Sequence, residues 1–436
     1  MLDWVWSFSA RVRSAEAIAA QRAVKLERMR ALLAALGNPE SRFPSVLVAG
    51  TKGKGSTVAM ISACLTAAGL RTGRYTSPHL INWRERTSID GQAIAVDDVI
   101  SLAEPIRRAI EGLHQTLGDP TTFEVGTAFT FLYFAEQNLD LAVVEVGTGG
   151  RFDATNLVEP LVSVITPISY DHTPTLGETL TAIAGHKAGI LRADRPAISA
   201  RQVDEARVVI EAEAMRLGTL LEEVGREWRW SDVATGIRIE SSHADFAPLE
   251  TQVGLLGDHQ RDNATTAVAA LHALGAIEPR FAVSPQAMQS GLAGVDWPGR
   301  LQVLSEKPLL AVDGAHNAAS AEMLRAAIEK YLPFERLHLV VGLSAGKDAN
   351  GVLEALAPRA HGVYLTRSHH ERSAPPRELE PMVHQVAPRA VVAVHDDLVG
   401  AVEAALGAAR TDDLVLVTGS LFLVGETLVW WRRSPR

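Results

Sequence analysis

The chain's most chemically loaded stretch is Gly50-Thr51-Lys52-Gly53-Lys54-Gly55-Ser56-Thr57, which follows the apolar run Val46-Leu47-Val48-Ala49. An apolar strand that enters a glycine-rich turn and leaves as a helix is the setting of a phosphate-cradling loop. Glycines let successive backbone N–H groups converge on one anion. Lys54 is long enough to reach terminal phosphates, and Ser56 or Thr57 can offer a hydroxyl to magnesium. The helix N-terminus adds the positive end of its dipole. The chemistry indicated is binding of a nucleoside triphosphate. The common pattern places four residues between the first glycine and Gly-Lys, with Ser or Thr directly after the lysine. Here Gly50 and Gly53 are closer, and Gly55 separates Lys54 from Ser56. A chance glycine turn after a strand is the plain alternative.

Three further groups carry candidate chemistry. Glu145 ends the apolar run 139–147, where a carboxylate beside a phosphate loop suits a nucleotide-bound magnesium ion. A solvated or helix-capping acid is the other reading. Asp171-His172 follows the run 161–166, and Lys187 lies in a helical segment over 180–191. On residue type alone these read as a capping pair and a surface cation, because an ammonium repels metal. Asp313-Gly314-Ala315-His316-Asn317 ends a strand far downstream and could face a nucleotide; a tight strand-to-helix turn explains it equally well. His369, His370 and His395 lack ligand spacing and read as surface residues. The tryptophans do not interleave with basic residues, which argues against a nucleic-acid stacking platform.

Strands and helices must position these groups. Helical periodicity covers 15–36 and stops at Gly37-Asn38-Pro39. The helix after the phosphate loop closes near Gly69, a short strand runs into a loop over 74–79, and helices are predicted over 97–117 and 127–137. The alternation of strands and helices predicts a parallel sheet covered on both faces, with ligands beyond the carboxyl ends of its strands. Residues 228–240 alternate as an antiparallel hairpin at the edge of the first domain, and a helix follows over 263–274. A linker is placed at Trp297-Pro298-Gly299-Arg300. Beyond it, strands over 309–313, 337–343, 362–366, 390–395 and 414–418, with a helix over 398–410, make a second α/β domain. The fold class is therefore α/β: a P-loop-type parallel-sheet domain over 1–297 with a small antiparallel edge, then a second Rossmann-like domain over 298–436. An arginine at the junction suggests a cleft that closes on ligand.

The 436 residues are enough for two or three domains. A hydrophobic content of 47% and a charged content of 21% are ordinary for a soluble globular chain. A net charge of −9 argues against a general nucleic-acid binder. The single cysteine, Cys64, reads as a core residue in a reducing compartment. Residues 1–6 carry an early acid and no long apolar stretch, so they do not read as a signal peptide. No apolar run suffices to span a membrane, and a cytoplasmic location is expected.

Taken together, the motifs resemble the folylpolyglutamate synthase/dihydrofolate synthase family, a branch of the Mur-ligase-like ATP-dependent amide ligases. The segments that carry the likeness are Gly50 to Thr57, Thr76-Ser77-Pro78-His79-Leu80, Thr122-Phe123-Glu124, Glu145-Val146-Gly147 with Gly149-Gly150-Arg151, and Asp153-Ala154-Thr155-Asn156. Asp171-His172-Thr173, Lys187 to Ile190, His259-Gln260 with Asn263-Ala264, Pro298 to Gln302, Asp313 to Asn317 and Gly419-Ser420-Leu421 continue the series. They run in family order over nearly the whole chain.

The resemblance implies roles. Gly53, Lys54, Gly55, Ser56 and Thr57 would bind ATP phosphates, Asn263 would meet the adenine, and Arg300, Asp313 and His316 would reach ATP from the linker and second domain. Ser77, Glu145 and His172 would ligate magnesium at two sites, with Ser56 close by. Lys187 would be carbamylated by carbon dioxide, turning an ammonium into an anionic oxygen ligand. Thr122, Phe123, Glu124, Asp153 and Ala154 would line the substrate site, the aromatic ring stacking on a flat pterin. The implied reaction joins L-glutamate to dihydropteroate or reduced folates through an acyl phosphate, releasing ADP and phosphate in folate biosynthesis. The partners implied are these small molecules, with no nucleic acid or membrane, and a monomeric enzyme. Lys52 stands where the family usually has asparagine, His186 where it has glutamate, and Thr148 and Phe152 where it has leucines. The alternatives are a ligase acting on a muramyl precursor and a nucleotide-dependent binding protein without ligase turnover.

Overall fold

A computed structural model describes residues 15–346 and 348–434. The leader reading of residues 1–6 lies outside them. The chain divides into two compact units. Among the described residues, the first comprises 15–79, 84–254 and 261–295; the second comprises 80–83, 255–260 and those from 296 to 434. That the short segments 80–83 and 255–260 join the second unit was not anticipated from the sequence.

The first unit is built on an eight-stranded sheet: β1 (Ser45–Ala49), β2 (Thr72–Tyr75), β3 (Thr87–Ile89), β4 (Gln92–Ala93), β5 (Leu141–Glu145), β6 (Pro160–Ile165), β7 (Ala197–Ser199) and β8 (Leu221–Glu223). Their order is β4-β3-β2-β5-β1-β6-β7-β8. Pairing is parallel except where β3 and β4 form an antiparallel edge. β1 and β5 are buried along their whole length, which is why they read as unbroken apolar runs. The helix Lys54–Ala67 packs against β2 and β5 on one side and the helix Pro285–Ala293 on another. Enclosed in this way, it is apolar nearly all round, with Val58, Met60, Ile61, Cys64 and Leu65 fully buried. Burial pushes the Cys64 thiol up to about 12.

The expected hairpin forms, as β9 (Trp228–Val233) and β10 (Gly236–Ser241). It does not edge the main sheet. It joins β11 (Leu249–Thr251) in a separate three-stranded sheet.

The second unit carries a six-stranded sheet: β12 (Gln302–Glu306), β13 (Leu309–Val312), β14 (Leu337–Val341), β15 (Ala360–Leu365), β16 (Val391–Val394) and β17 (Leu414–Thr418), in the order β12-β13-β17-β14-β15-β16. Only the β12–β13 pair is antiparallel. Leu339 and Val341 of β14 enter one core with Leu353 and Val383, while Val340 enters the other with Val402 and Val424. This alternation buries both faces of the sheet.

Candidate active site

The strand order fixes which strand ends meet. β1 lies between β5 and β6, and β5 lies between β1 and β2. In register, Val48 pairs with Glu145 and Ala49 with Ile165. The phosphate loop, Glu145, the segment after Ile165 and Ser77 therefore emerge side by side at the carboxyl ends of parallel strands.

The loop is held from both sides. Thr51 and Lys52 donate their N–H groups to the Pro167 carbonyl at 3.0 and 3.1 Å. The Thr51 hydroxyl donates to the Ser169 carbonyl at 3.1 Å and accepts from the Ser169 N–H at 3.2 Å. Gly50 has φ 145°, and a Cβ there would run into the Thr166 side chain. Gly53 caps the helix with φ 81° and no side-chain cap, its Cα facing the amide of Asn263. That leaves a helix N-terminus capped by backbone alone, beside a polar amide, as an anion site requires. Ser56 and Thr57 sit in the first turn, both buried, and the Thr57 hydroxyl has no hydrogen-bond partner among the described residues.

Three charged side chains converge here. Lys54 Nζ lies 4.0 Å from Glu145 Oε1 and 3.5 Å from the Thr51 carbonyl. Glu145 Oε2 accepts the Ser77 N–H at 3.0 Å. Lys187 is 4% exposed and donates from Nζ to the Gly50 carbonyl at 2.5 Å. Burial, then the positive charge of Lys54, holds the Lys187 amine down at about 7, against the opposing pull of Asp171 and Asp153. This corrects the reading of Lys187 as a surface cation: its helix, Leu180–Ala188, points it back under the loop. His172 is half exposed, has φ 51°, and begins the short helix Thr173–Leu176, with Nε2 4.0 Å from Asp171 Oδ1. His186, one of the departures noted above, packs edge-on to Phe152 at 5.9 Å.

Beside this cluster lies an aromatic shelf. The helix Thr122–Glu136 starts five residues before the periodicity suggested, because Thr121 and Glu124 form a reciprocal capping box. The Phe123 ring lies over Gly147, where any Cβ would collide with it. Tyr75 flanks it at 6.2 Å, and Lys25 Nζ stands 5.8 Å from the ring centre. Burial pushes the Tyr75 hydroxyl up to about 12. The Thr122 hydroxyl is buried without a partner among the described residues.

Two of the expected substrate-site residues have internal hydrogen-bond partners. Glu124 is fully buried, and its oxygens accept from Arg28 at 3.0 and 2.7 Å and from Thr121. These bonds pin the start of the helix that carries Phe123. Asp153, also buried, accepts from the Thr148 and Thr155 N–H groups and the Thr155 hydroxyl. Ala154 is fully buried. Sequence reasoning missed Lys25, Arg28 and Tyr75, and also Arg86, whose Nε donates to His79 Nδ1 at 3.0 Å. Burial and Arg86 hold His79 down at about 4, so its ring is neutral and able to accept that bond. Only the motif around His79 could have signalled this pair.

In the second unit, Asp313 follows β13 and closes a turn. It accepts from the Leu301 N–H and the Ala315 N–H, both at 2.8 Å. His316 Nδ1 is 2.8 Å from the Gly314 carbonyl, and Asn317 caps the helix Ala318–Tyr331. The strand-to-helix turn is thus real, and it holds His316 just before the helix start. Arg300 packs beside Gly314, whose Cβ would meet Nη1 at 3.2 Å. His370, read as a surface residue, stacks on Phe422 at 3.8 Å.

Comparison with known proteins gives two family matches. Residues 48–271 match the Mur ligase middle domain, and residues 299–421 match the Mur ligase glutamate ligase domain. The chain is 34% identical to the dihydrofolate synthase/folylpolyglutamate synthase of Bacillus subtilis, covering 92% of this chain and 93% of that one. Among solved structures it resembles Mycobacterium tuberculosis folylpolyglutamate synthase complexed with ADP and AMPPCP, with a TM-score of 0.86, 32% identity, and 94% and 96% of the two chains covered. It also resembles Escherichia coli FolC in complex with DHPP and ADP, with a TM-score of 0.84, 33% identity, and 94% of each chain covered.

Proposed function

The chain belongs to the dihydrofolate synthase/folylpolyglutamate synthase family of Mur-type ligases, and from that premise we propose how its own residues carry out ATP-dependent attachment of L-glutamate to dihydropteroate, to reduced folates, or to both. The observation that carries the proposal is the convergence of Lys54, Glu145 and Lys187 on the loop Gly50–Thr57.

The helix N-terminus at Gly53 and the Lys54 ammonium bind and orient the ATP phosphates. A carboxylate oxygen of the pteroate or folate attacks the γ-phosphorus, the bond to the ADP oxygen breaks, and an acyl phosphate forms. Lys54 stabilises the charge that builds on the transferring phosphoryl oxygens. The neutral α-amine of glutamate then attacks the acyl carbon, phosphate leaves, the nitrogen gives up a proton, and an amide remains. Phe123, set over Gly147 and beside Tyr75, supplies the flat surface on which a pterin ring stacks. Asn263, whose amide faces Gly53, would meet the adenine, and Arg300, Asp313 and His316 would be further nucleotide contacts.

The donor set suits magnesium. It offers the buried Glu145 carboxylate and the hydroxyls of Ser56 and Ser77, with the His172 imidazole as the one nitrogen donor, and the partnerless Thr57 hydroxyl lies close by. Ser56, Ser77, Glu145, His172 and carbamylated Lys187 would hold magnesium ions at two sites. The ions would neutralise phosphate charge there. The lowered Lys187 amine supports carbamylation, because a neutral amine can attack carbon dioxide, lose a proton and become a carbamate.

The test is amide formation with purified protein, magnesium-ATP and glutamate, offering dihydropteroate and tetrahydrofolate separately and reading products by mass. Glutamate adducts on both establish a bifunctional synthase, and an adduct on one assigns the specialised activity. ATP turnover without either adduct overturns the reading.

A further inference from the structure

Within the first unit, a second constellation plays no part in the chemistry above. His243 and Asp245 lie in the loop after β10, and His272 lies in the C-terminal half of the helix Asp258–Ile277. One ligand atom from each lies within 4.8 Å of the others. His272 Nε2 is 3.7 Å from Asp245 Oδ1. From β8, the buried Glu222 places Oε1 3.0 Å from His243 Nε2, as a neighbour of that three-residue group rather than a member of it. That imidazole nitrogen is itself buried and makes no aligned hydrogen bond, so proximity to the carboxylate leaves its donor capacity unused. The other Glu222 oxygen accepts the Trp228 indole N–H at 2.6 Å, which fixes the carboxylate's orientation. The Trp228 ring stands 5.8 and 5.4 Å from the two imidazoles, and Phe246 lies 5.6 Å from His272, forming an apolar wall.

We propose that His243, Asp245 and His272, with solvent completing the coordination, bind a divalent transition metal of the zinc class. Two imidazoles with a carboxylate are donors for a borderline metal, whereas magnesium takes mainly oxygen ligands in an octahedron. Ligand atoms on a tetrahedron about zinc stand roughly 3.3 Å apart, and the 3.7 Å between His272 Nε2 and Asp245 Oδ1 comes near that value. Asp245 is largely exposed, which opens the site to solvent and gives the ion a way in. The metal would tie the loop after β10 to the helix Asp258–Ile277. It would be a structural clasp with no part in phosphoryl transfer.

The test uses the full chain, stripped with a chelator and titrated with zinc chloride alone. Bound metal is measured by elemental analysis after gel filtration, and cobalt(II) is substituted to read its visible absorption. The wild type should retain about one zinc per chain at this site, show a tetrahedral cobalt band and melt at a higher temperature with zinc. In His243→Gln/His272→Gln the retained zinc should fall by one per chain, with loss of both the band and the thermal shift. Should that double variant not fold, Asp245→Asn, at an exposed position, should bind zinc about tenfold to a hundredfold more weakly. Zinc retention that is absent in the wild type, or unchanged in these variants, overturns the proposal.

Discussion

Lys187 sits where an ammonium is poorly tolerated, buried and facing Lys54. An amine with an ordinary value of 10.5 in the unfolded chain and about 7 in the folded one binds fewer protons when folded between those two pH values. Unfolding then takes up protons, so the stability of the uncarbamylated protein should rise as pH climbs from 7 towards 10.5, with the full penalty in place below 7. Urea midpoints measured without bicarbonate should show this rise in the wild type and a flatter profile in Lys187→Met. Added 13C-bicarbonate should give a carbamate carbon resonance that Lys187→Met lacks. Lys54 has the opposite duty: beside Glu145 at 4.0 Å, it also meets the charge that nucleotide brings. Lys54→Ala should lower ADP formation about a hundredfold or more while leaving the melting temperature nearly unchanged, as read by a coupled ADP assay and calorimetry.

The helix Thr122–Glu136 shows how an element is positioned for chemistry by groups that never meet substrate. Its start is pinned by the capping box and by the Arg28–Glu124 pair, with side chains 4% and 0% exposed. Removing one partner of such a pair leaves a buried charge uncompensated, so Arg28→Ala should cost about 3–5 kcal/mol of stability in denaturant titration. At the other end of the contact, Gly147 gives the Phe123 ring its room. Gly147→Ala should displace the ring, raise KM for the pterin substrate several-fold and leave KM for ATP close to wild type, as steady-state kinetics would show. Periodicity alone began this helix at 127, and the reciprocal Thr121–Glu124 bonds move its start to Thr122. The hairpin at 228–241 was legible by its alternation, but its separation from the main sheet was not, since alternation does not say which strand lies alongside.

Across the whole molecule, two sheets of mainly parallel strands each present loops at their carboxyl ends. Nucleotide binding should protect the first unit at those ends. With saturating ADP, hydrogen exchange should slow in residues 50–57 and 145–149 and around Asn263 in the wild type, and much less in Lys54→Ala.

The sequence by itself determined the phosphate loop, the alternation of strands and helices, the restart of that alternation after Gly299, and the family to which the chain belongs. These are local or ordered patterns, and strand burial and helix punctuation write them directly into residue order. Only the tertiary structure decided that Lys187 lies under the loop at the Gly50 carbonyl, that Glu124 and Asp153 are internal, and that His243, Asp245 and His272 meet at all. Each of these depends on strand order and on burial by segments distant in the chain, and no spacing of residues encodes such neighbours.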